Sequence, residues 1–483
     1  MALVVCALVL MACAQPPLPP APTEYWFTQK FDHFDGSDTR TWSQRYLVYS
    51  DYYDGKGPIF FCPGGESDVR GGYDHNGFMF ELGQKLGAFL LFPEHRFYGK
   101  SLPFGPVDSY KPENIPKLTI EQAMADYVAI IASAKTQWNI PPTTPLVAYG
   151  GSYPGDLTAY MRVAYPDIVH AGFASSAPLR YHAGEVPGGG FFQVVTDTFS
   201  IPSATCPDLV RQAFSLIFQE SQTPQGLLDV STRLNLCTPL QSPSDLRMLA
   251  LWVENAYANI GMENYPYPFG GSPKYPMFVS CNLLQSLYPT DPLLALAQSV
   301  GVAYNTSGTD LPCFNISAEY YPCADITGCG GGVGDPEAMS WDYQSCTQVV
   351  SNVDTNNVTD MFPAHPYNFR EVTDYCLKTW GTSPDPYQIP SKYNYTSATR
   401  LILSNGKYDP WYPGGVLPEV CPSGEDMFCF LIDQAAHHLD LRGTDPVNDP
   451  PAVTAARVTE KAIITKWVQT IQEELTLKYS LLQ

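Results

Sequence analysis

The chain changes texture twice. From about residue 24 to 185, short apolar runs alternate with stretches whose apolar residues recur at helical spacing. Gly57 to Cys62 (Gly-Pro-Ile-Phe-Phe-Cys) and Leu146 to Ala148 are runs of the first kind, and Ile120 to Trp138 is of the second. Unbroken apolar runs this short read as strands buried on both faces. Thr119 and Gln122 stand at capping-box spacing and mark where the helix begins. Strand and helix in alternation predict a mostly parallel sheet with flanking helices. From about Gly188 to Asp385 the pattern turns to helices and loops and holds most of the cysteines. There, residues 207–220 and 244–260 read as amphipathic helices whose apolar faces are ordinary packing surface. Strand-like runs return after Tyr395, at Thr399 to Ser404 and Phe428 to Ile432. The expectation is one α/β domain in two parts, 24–187 and 386–483, interrupted by a mainly helical cap at 188–385. No internal repeat is visible.

The second apolar run ends in unusual chemistry. Leu146 to Ala148 leads through Tyr149, Gly150 and Gly151 to Ser152, and a helical pattern follows. A serine on a sharp strand-to-helix turn is the outline of a nucleophile elbow. Taken alone, Gly-Gly-Ser is as readily an ordinary tight turn. An α/β-hydrolase, however, places its acid and its histidine after the serine in that order. Asp409 follows the run ending at Ser404, and His437 and His438 follow the run ending at Ile432. Strand ends at one sheet edge are where such folds gather their chemistry. Ser152 would attack, a histidine would take its proton, and Asp409 would fix the imidazole tautomer. The pattern itself leaves His437 and His438 open. The amide of Tyr153 is one candidate oxyanion donor. Pro63-Gly64-Gly65-Glu66, after the Gly57–Cys62 run, offers Gly65 as the other, since a glycine turn lets its N–H approach closely.

Longer segments carry a family resemblance. Phe31-Asp32-His33-Phe34, Gln44-Arg45-Tyr46 and Pro93 to Gly105 stand near the amino end. Gly150-Gly151-Ser152-Tyr153, Ser404-Asn405-Gly406, Asp409-Pro410-Trp411 and Ala436 to Arg442 follow. From about Phe27 to Trp467 the chain resembles the lysosomal Pro-X carboxypeptidase and dipeptidyl peptidase II family of serine peptidases, the dipeptidyl peptidase II branch more closely. The resemblance implies Ser152 as nucleophile, Asp409 as acid and His437 as base. It implies cleavage after proline, with Trp411 lining the proline pocket. It also implies that Asp325, in the loop Cys323 to Cys329, binds a free amino terminus. An exposed carboxylate pinned by flanking cysteines suits a cationic amine. Two positions depart from the family pattern. Pro154 replaces a small residue and biases Tyr153 away from helical backbone. Asp156 stands near the proline pocket where relatives often carry an apolar residue, so proline and small-residue preference both stay open.

Composition narrows the setting. The net charge of −21 argues against nucleic acid as a partner and suits an acidic lumen. Met1 to Ala14 is apolar and ends in a small-residue cleavage pattern, though it lacks an early cation and Leu10 to Cys13 also fits a lipoprotein site. No later stretch reads as a membrane helix. Thirteen cysteines, two of them (Cys6 and Cys13) in the leader, point to an oxidising compartment, lysosome-like or extracellular. Cys323 with Cys329 and Cys421 with Cys429 can form short loops, and Cys62 is the candidate free thiol. Asn305, Asn315, Asn357 and Asn394 head glycosylation sequons. No motif calls for a metal or organic cofactor, and a homodimer is left open. The leading expectation is a serine exopeptidase that takes X-Pro or X-Ala dipeptides from peptides with a free amino terminus, under a cap that admits short chains. The alternatives are a carboxypeptidase cutting Pro-X bonds, and a catalytically weak binding protein on the same fold.

Overall fold

The computed structural model describes residues 18–182, 184–306, 311–330, 335–424 and 426–481; the expected leader at Met1–Ala14 lies outside the described residues. Eight strands form one sheet: β1 (Thr23–Lys30), β2 (Thr41–Tyr49), β3 (Ile59–Phe61), β4 (Phe89–Pro93), β5 (Leu146–Gly151), β6 (Ala171–Ser175), β7 (Leu401–Gly406) and β8 (Met427–Ile432). Their spatial order is β1-β2-β4-β3-β5-β6-β7-β8. β2 runs antiparallel to β1 and β4, and all other neighbours are parallel. This is the sheet of an α/β-hydrolase. The run read at Gly57 to Cys62 is paired only over Ile59–Phe61, whereas the run at Leu146 extends through both glycines.

The unbroken apolar runs exist because both sheet faces are covered. Ile59, Phe61, Leu146 and Ala148 pack against the helices Ile120–Gln137 and Tyr153–Ala164. Their neighbours Phe60, Val147 and Tyr149 point the other way, with Phe173 and Ile402, toward the helices Gly77–Leu86 and Pro451–Ser480. Each such side chain, taken from water, contributes on the order of 1.5–3 kcal/mol. The capping box expected before Ile120 is only half built. Thr119 Oγ1 accepts from Gln122 N at 3.2 Å, but the Gln122 side chain turns to Asp32 and to the amide of His33. A tertiary polar contact has taken the group that local pairing would use.

Between β6 and β7 the chain is helical. Gly190–Ser200, Cys206–Glu220, Pro243–Met262, Pro276–Leu287 and Pro292–Tyr304 enclose a separate core around Phe192, Phe199, Trp252 and Tyr257. Trp411, from the turn after β7, belongs to that core and joins the helical layer to the sheet edge. Disulfides Cys206–Cys281, Cys237–Cys313 and Cys346–Cys376 staple this region, and Cys323–Cys329 and Cys421–Cys429 close the two short loops expected. Asn315, Asn357 and Asn394 are exposed, and Asn305 is half-buried.

The early family segments turn out to be polar clasps. Arg96, fully buried, donates Nε to Asp126 Oδ2 and Nη2 to Asp126 Oδ1, both at 2.7 Å. His33 Nε2 meets the same carboxylate at 2.8 Å. Arg45 bridges Glu94 and Asp68, tying β2 to the ends of β4 and the loop after β3. Such pairs add little net stability over an apolar core, but they are costly to break. Replacing Asp126 with Ala strands Arg96 and is expected to lower the unfolding free energy by roughly 3–5 kcal/mol in a denaturant melt. Cys62 is buried and free, and burial pushes its thiol up to about 12. It is therefore expected to resist iodoacetamide at pH 8 and to label, by mass spectrometry, only after unfolding.

Candidate active site

Strand β5 delivers Ser152 to the carboxyl edge of the sheet. Ser152 has φ 61° and ψ −134° and is the N-cap of the helix Tyr153–Ala164. An L-residue held there costs about 1–3 kcal/mol, which the surrounding packing must offset. The turn closes tightly enough that a Cβ on Gly150 would fall 2.0 Å from the Pro154 carbonyl oxygen. Ser152 N donates to Ser175 O at 2.9 Å, which anchors the turn to β6.

Asp409 follows β7 and is fully buried. Its Oδ1 accepts from Trp411 N at 3.0 Å, and its Oδ2 pairs with His437 Nδ1 at 2.8 Å. His437 is held at its backbone by Met262 O, which accepts from His437 N at 3.1 Å, and by the Tyr265 hydroxyl, which donates to His437 O at 3.1 Å. Both contacts come from the helical layer. His438 instead packs against Gly151 and is driven well below the ordinary histidine range by burial, and among the described residues it makes no hydrogen bond to Asp409. The tertiary structure thus separates two adjacent histidines that the sequence pattern left equivalent. Ser152 and His437 line one cleft with an accessible volume of about 560 Å³, and Ser152 Oγ makes no hydrogen bond among the described residues. Catalytic contacts often tighten only when substrate binds.

The candidate oxyanion donors flank the serine. Neither Tyr153 N nor Gly65 N is engaged by another backbone group among the described residues. Gly65 lies directly against Pro154, because a Cβ there would sit 2.4 Å from Pro154 Cγ. The expectation that Pro154 would turn Tyr153 out of the helix is corrected: the helix begins at Tyr153, and Pro154 occupies its first turn, where a missing N–H costs nothing. The Tyr153 ring is clamped by Gln344 Nε2 at 2.8 Å and by His95 Nε2 at 3.1 Å. Burial lowers the His95 imidazole to about 4.

Asp325 lines the same cleft, but it is 2 % exposed, not the exposed carboxylate expected. Its Oδ1 accepts from Thr327 N at 2.9 Å and Thr327 Oγ1 at 2.8 Å, and its Oδ2 from Trp341 Nε1 at 3.1 Å. Burial raises its carboxyl, and those donors pull it back. Trp411 also lines the cleft, its ring against Phe191 and Tyr181 and its Nε1 3.1 Å from Met262 Sδ. Asp156 does not line the cleft. It is fully buried, with Oδ2 2.6 Å from His182 Nδ1, so the assignment of Asp156 to substrate contact is corrected. Its burial against His182 takes this departure from the family pattern away from the cleft, whereas Pro154 lines it.

Sequence reasoning gave no role to Glu66, Glu337, Trp341, Met262 or Arg442, which also line the cleft. Most reach it through loops and helices remote in sequence, and no local pattern marks them. Two carried a signal: Glu66 stands next to the proposed oxyanion glycine, and Arg442 ends the family segment Ala436 to Arg442.

An eight-stranded hydrolase sheet with a serine elbow and a buried His–Asp pair defines the class, that of α/β-hydrolases. The family model described as Serine carboxypeptidase S28 matches residues 29–460, and the chain belongs to this family of serine-type peptidases. It is similar to lysosomal Pro-X carboxypeptidase of Homo sapiens, 36% identical over 453 residues that cover 92% of this chain and 88% of that protein. The same protein of Mus musculus is 34% identical over the same 453-residue length, with the same two coverages. Prolyl carboxy peptidase like protein 5 of Caenorhabditis elegans is 27% identical over 469 residues, 92% of this chain and 90% of that one.

The contact between Gly65 and Pro154 yields a direct check. Gly65→Ala is expected to displace the loop and lower kcat/KM at least tenfold, on the scale of a misaimed oxyanion donor. Pairing it with Pro154→Gly is expected to restore part of the loss, read as steady-state rates on a peptide amide.

Proposed function

We propose that this serine peptidase is an exopeptidase releasing amino-terminal X-Pro or X-Ala dipeptides. Ser152 Oγ attacks the carbonyl carbon of the second residue, and the bond to the third residue's nitrogen breaks. His437 Nε2 takes its proton and returns it to the leaving amine, while Asp409 holds Nδ1–H and stabilises the imidazolium. Tyr153 N and Gly65 N receive the oxyanion, and Trp411 provides an apolar wall for the proline ring. Water then repeats the cycle on the acyl-enzyme. The observation that carries the amino-terminal reading is the acidic lining of the cleft. Among the described residues, Glu66, Asp68, Glu263, Asp325, Asp335 and Glu337 line it, against one arginine and no lysine. Such a field favours an ammonium group over a carboxylate.

One observation favours a second reading, a carboxypeptidase cutting Pro-X bonds. Arg442 lines the cleft without an ion pair to any carboxylate among the described residues. It stacks on the rings of Tyr265 and Phe269, 4.0 Å and 4.1 Å from their centroids. A buried guanidinium so placed could hold a substrate carboxylate. The Pro-X carboxypeptidase name borne by the relatives points the same way. The five disulfides, the exposed sequons and the lysosomal relatives support a secretory route ending in a lysosome-like lumen or outside the cell.

Free and Nα-acetylated X-Pro amides decide between the two ends of the substrate. The expected result is cleavage of the free form at least tenfold faster, with dipeptides as the only products in mass spectra. Equal rates, or single residues leaving from carboxyl ends, would assign the second reading. Ser152→Ala is expected to lower kcat by on the order of 10⁴ or more on either substrate class.

A further inference from the structure

The acids of the cleft are not equivalent. Asp68 is paired with Arg45. Asp325 has both oxygens occupied by the Thr327 and Trp341 donors described above. Glu337 Oε1 accepts from Asp68 N at 2.8 Å, and Asp335 Oδ1 accepts from Glu337 N at 3.0 Å as a helix cap. Glu263 has the positive charge of Arg442 beside it. Glu66 differs in one respect: like Glu263, Asp325, Asp335 and Glu337 it makes no ion pair among the described residues, but of the six acids it alone has an enclosed carboxylate oxygen, Oε2, without a hydrogen-bond partner. Burial raises its carboxyl, and the attraction of His437 only partly opposes this.

An ionised carboxylate so placed has a standing deficit that an arriving cation relieves. Its position is also fixed. Glu66 follows Gly65, whose backbone lies against Pro154 beside the nucleophile. Glu66 feels the charge of Glu337, and Glu337 stands one turn before Trp341 on the helix Pro336–Ser345. Trp341 is the residue that donates to Asp325. Glu66, Glu337, Trp341 and Asp325 all line the same cleft.

We infer that Glu66 is the principal anchor for the substrate's amino-terminal ammonium group, with Asp325 as the positioned second carboxylate. The inference rests on the amino-terminal reading above and assigns its specificity to a particular residue. Asp325 already accepts from three fixed donors and serves to shape the loop and add field, whereas Glu66 has an enclosed oxygen that no donor meets.

The test is the ratio of kcat/KM for a free X-Pro amide to that for its Nα-acetyl form, in wild type, Glu66→Gln, Glu66→Asp and Asp325→Asn. Glu66→Gln is nearly isosteric and is expected to cut the ratio roughly 10- to 100-fold, mainly through KM for the free amine. Glu66→Asp keeps the charge and is expected to retain most of the discrimination. A ratio unchanged in Glu66→Gln but collapsed in Asp325→Asn would overturn the inference while leaving the amino-terminal reading intact. Equal losses on free and acetylated substrates in Glu66→Gln would also overturn it, since the residue would then act on the chemical step. A wild-type enzyme indifferent to acetylation would instead remove the amino-terminal reading, and this inference with it.

Discussion

A single backbone turn governs this molecule. Ser152 occupies a region that side-chain-bearing residues seldom adopt, and it can do so only because its surroundings leave no alternative. Strand β5 is locked between β3 and β6, the following helix packs on the sheet, and the carbonyl of Pro154 fills the space a side chain at 150 would need. The hydroxyl is thereby lifted above the sheet edge and cannot relax into it. The conformational cost is met by the core on both sheet faces, which explains why so much apolar area surrounds so small a site.

Around that turn, the site is assembled from parts that would not find each other locally. Asp409 and His437 come from the ends of β7 and β8, strands that follow some two hundred residues of helical insertion. The insertion is not a passive cover. Met262 accepts from the backbone of His437 and abuts Trp411, Tyr265 donates to the carbonyl of the same histidine, and Gln344 holds the ring of Tyr153. The helical layer thus orients the imidazole, the apolar wall and the residue after the serine. The buried pairs Arg96–Asp126 and Arg45–Glu94 do the corresponding work beneath the site, fixing the loops after β3 and β4. They are positioning devices whose value lies in geometry and not in net stability.

Electrostatics then characterises the cleft. Its lining includes Glu66, Asp325, Asp335 and Glu337 together with Arg442, which stacks on Tyr265 and Phe269. Nearly all of these groups are partly or wholly removed from water, so their fields reach further than surface charges would. Under the proposed amino-terminal reading, a peptide entering the cleft meets this field with the charge on its end. The overall negative charge of the chain adds to the field of the cleft acids.

The amino-acid sequence by itself determined the periodic elements. Apolar runs buried on both faces can only be inner strands, and Gly-Gly-Ser at the end of one, followed by an acid and a histidine after later ones, makes the hydrolase pattern legible. Only the tertiary structure decided matters that depend on partners distant along the chain. It bonded His437 to Asp409 and buried His438 against Gly151. It paired Asp156 with His182 and gave Asp325 three donors, while leaving Glu66 Oε2 without one. It also turned the side chain of Gln122 from its cap to Asp32. The physical reason is common to all five cases. Periodicity reports which face of an element is apolar, but the state of a buried polar group is set by whichever donor, acceptor or charge the fold brings to it.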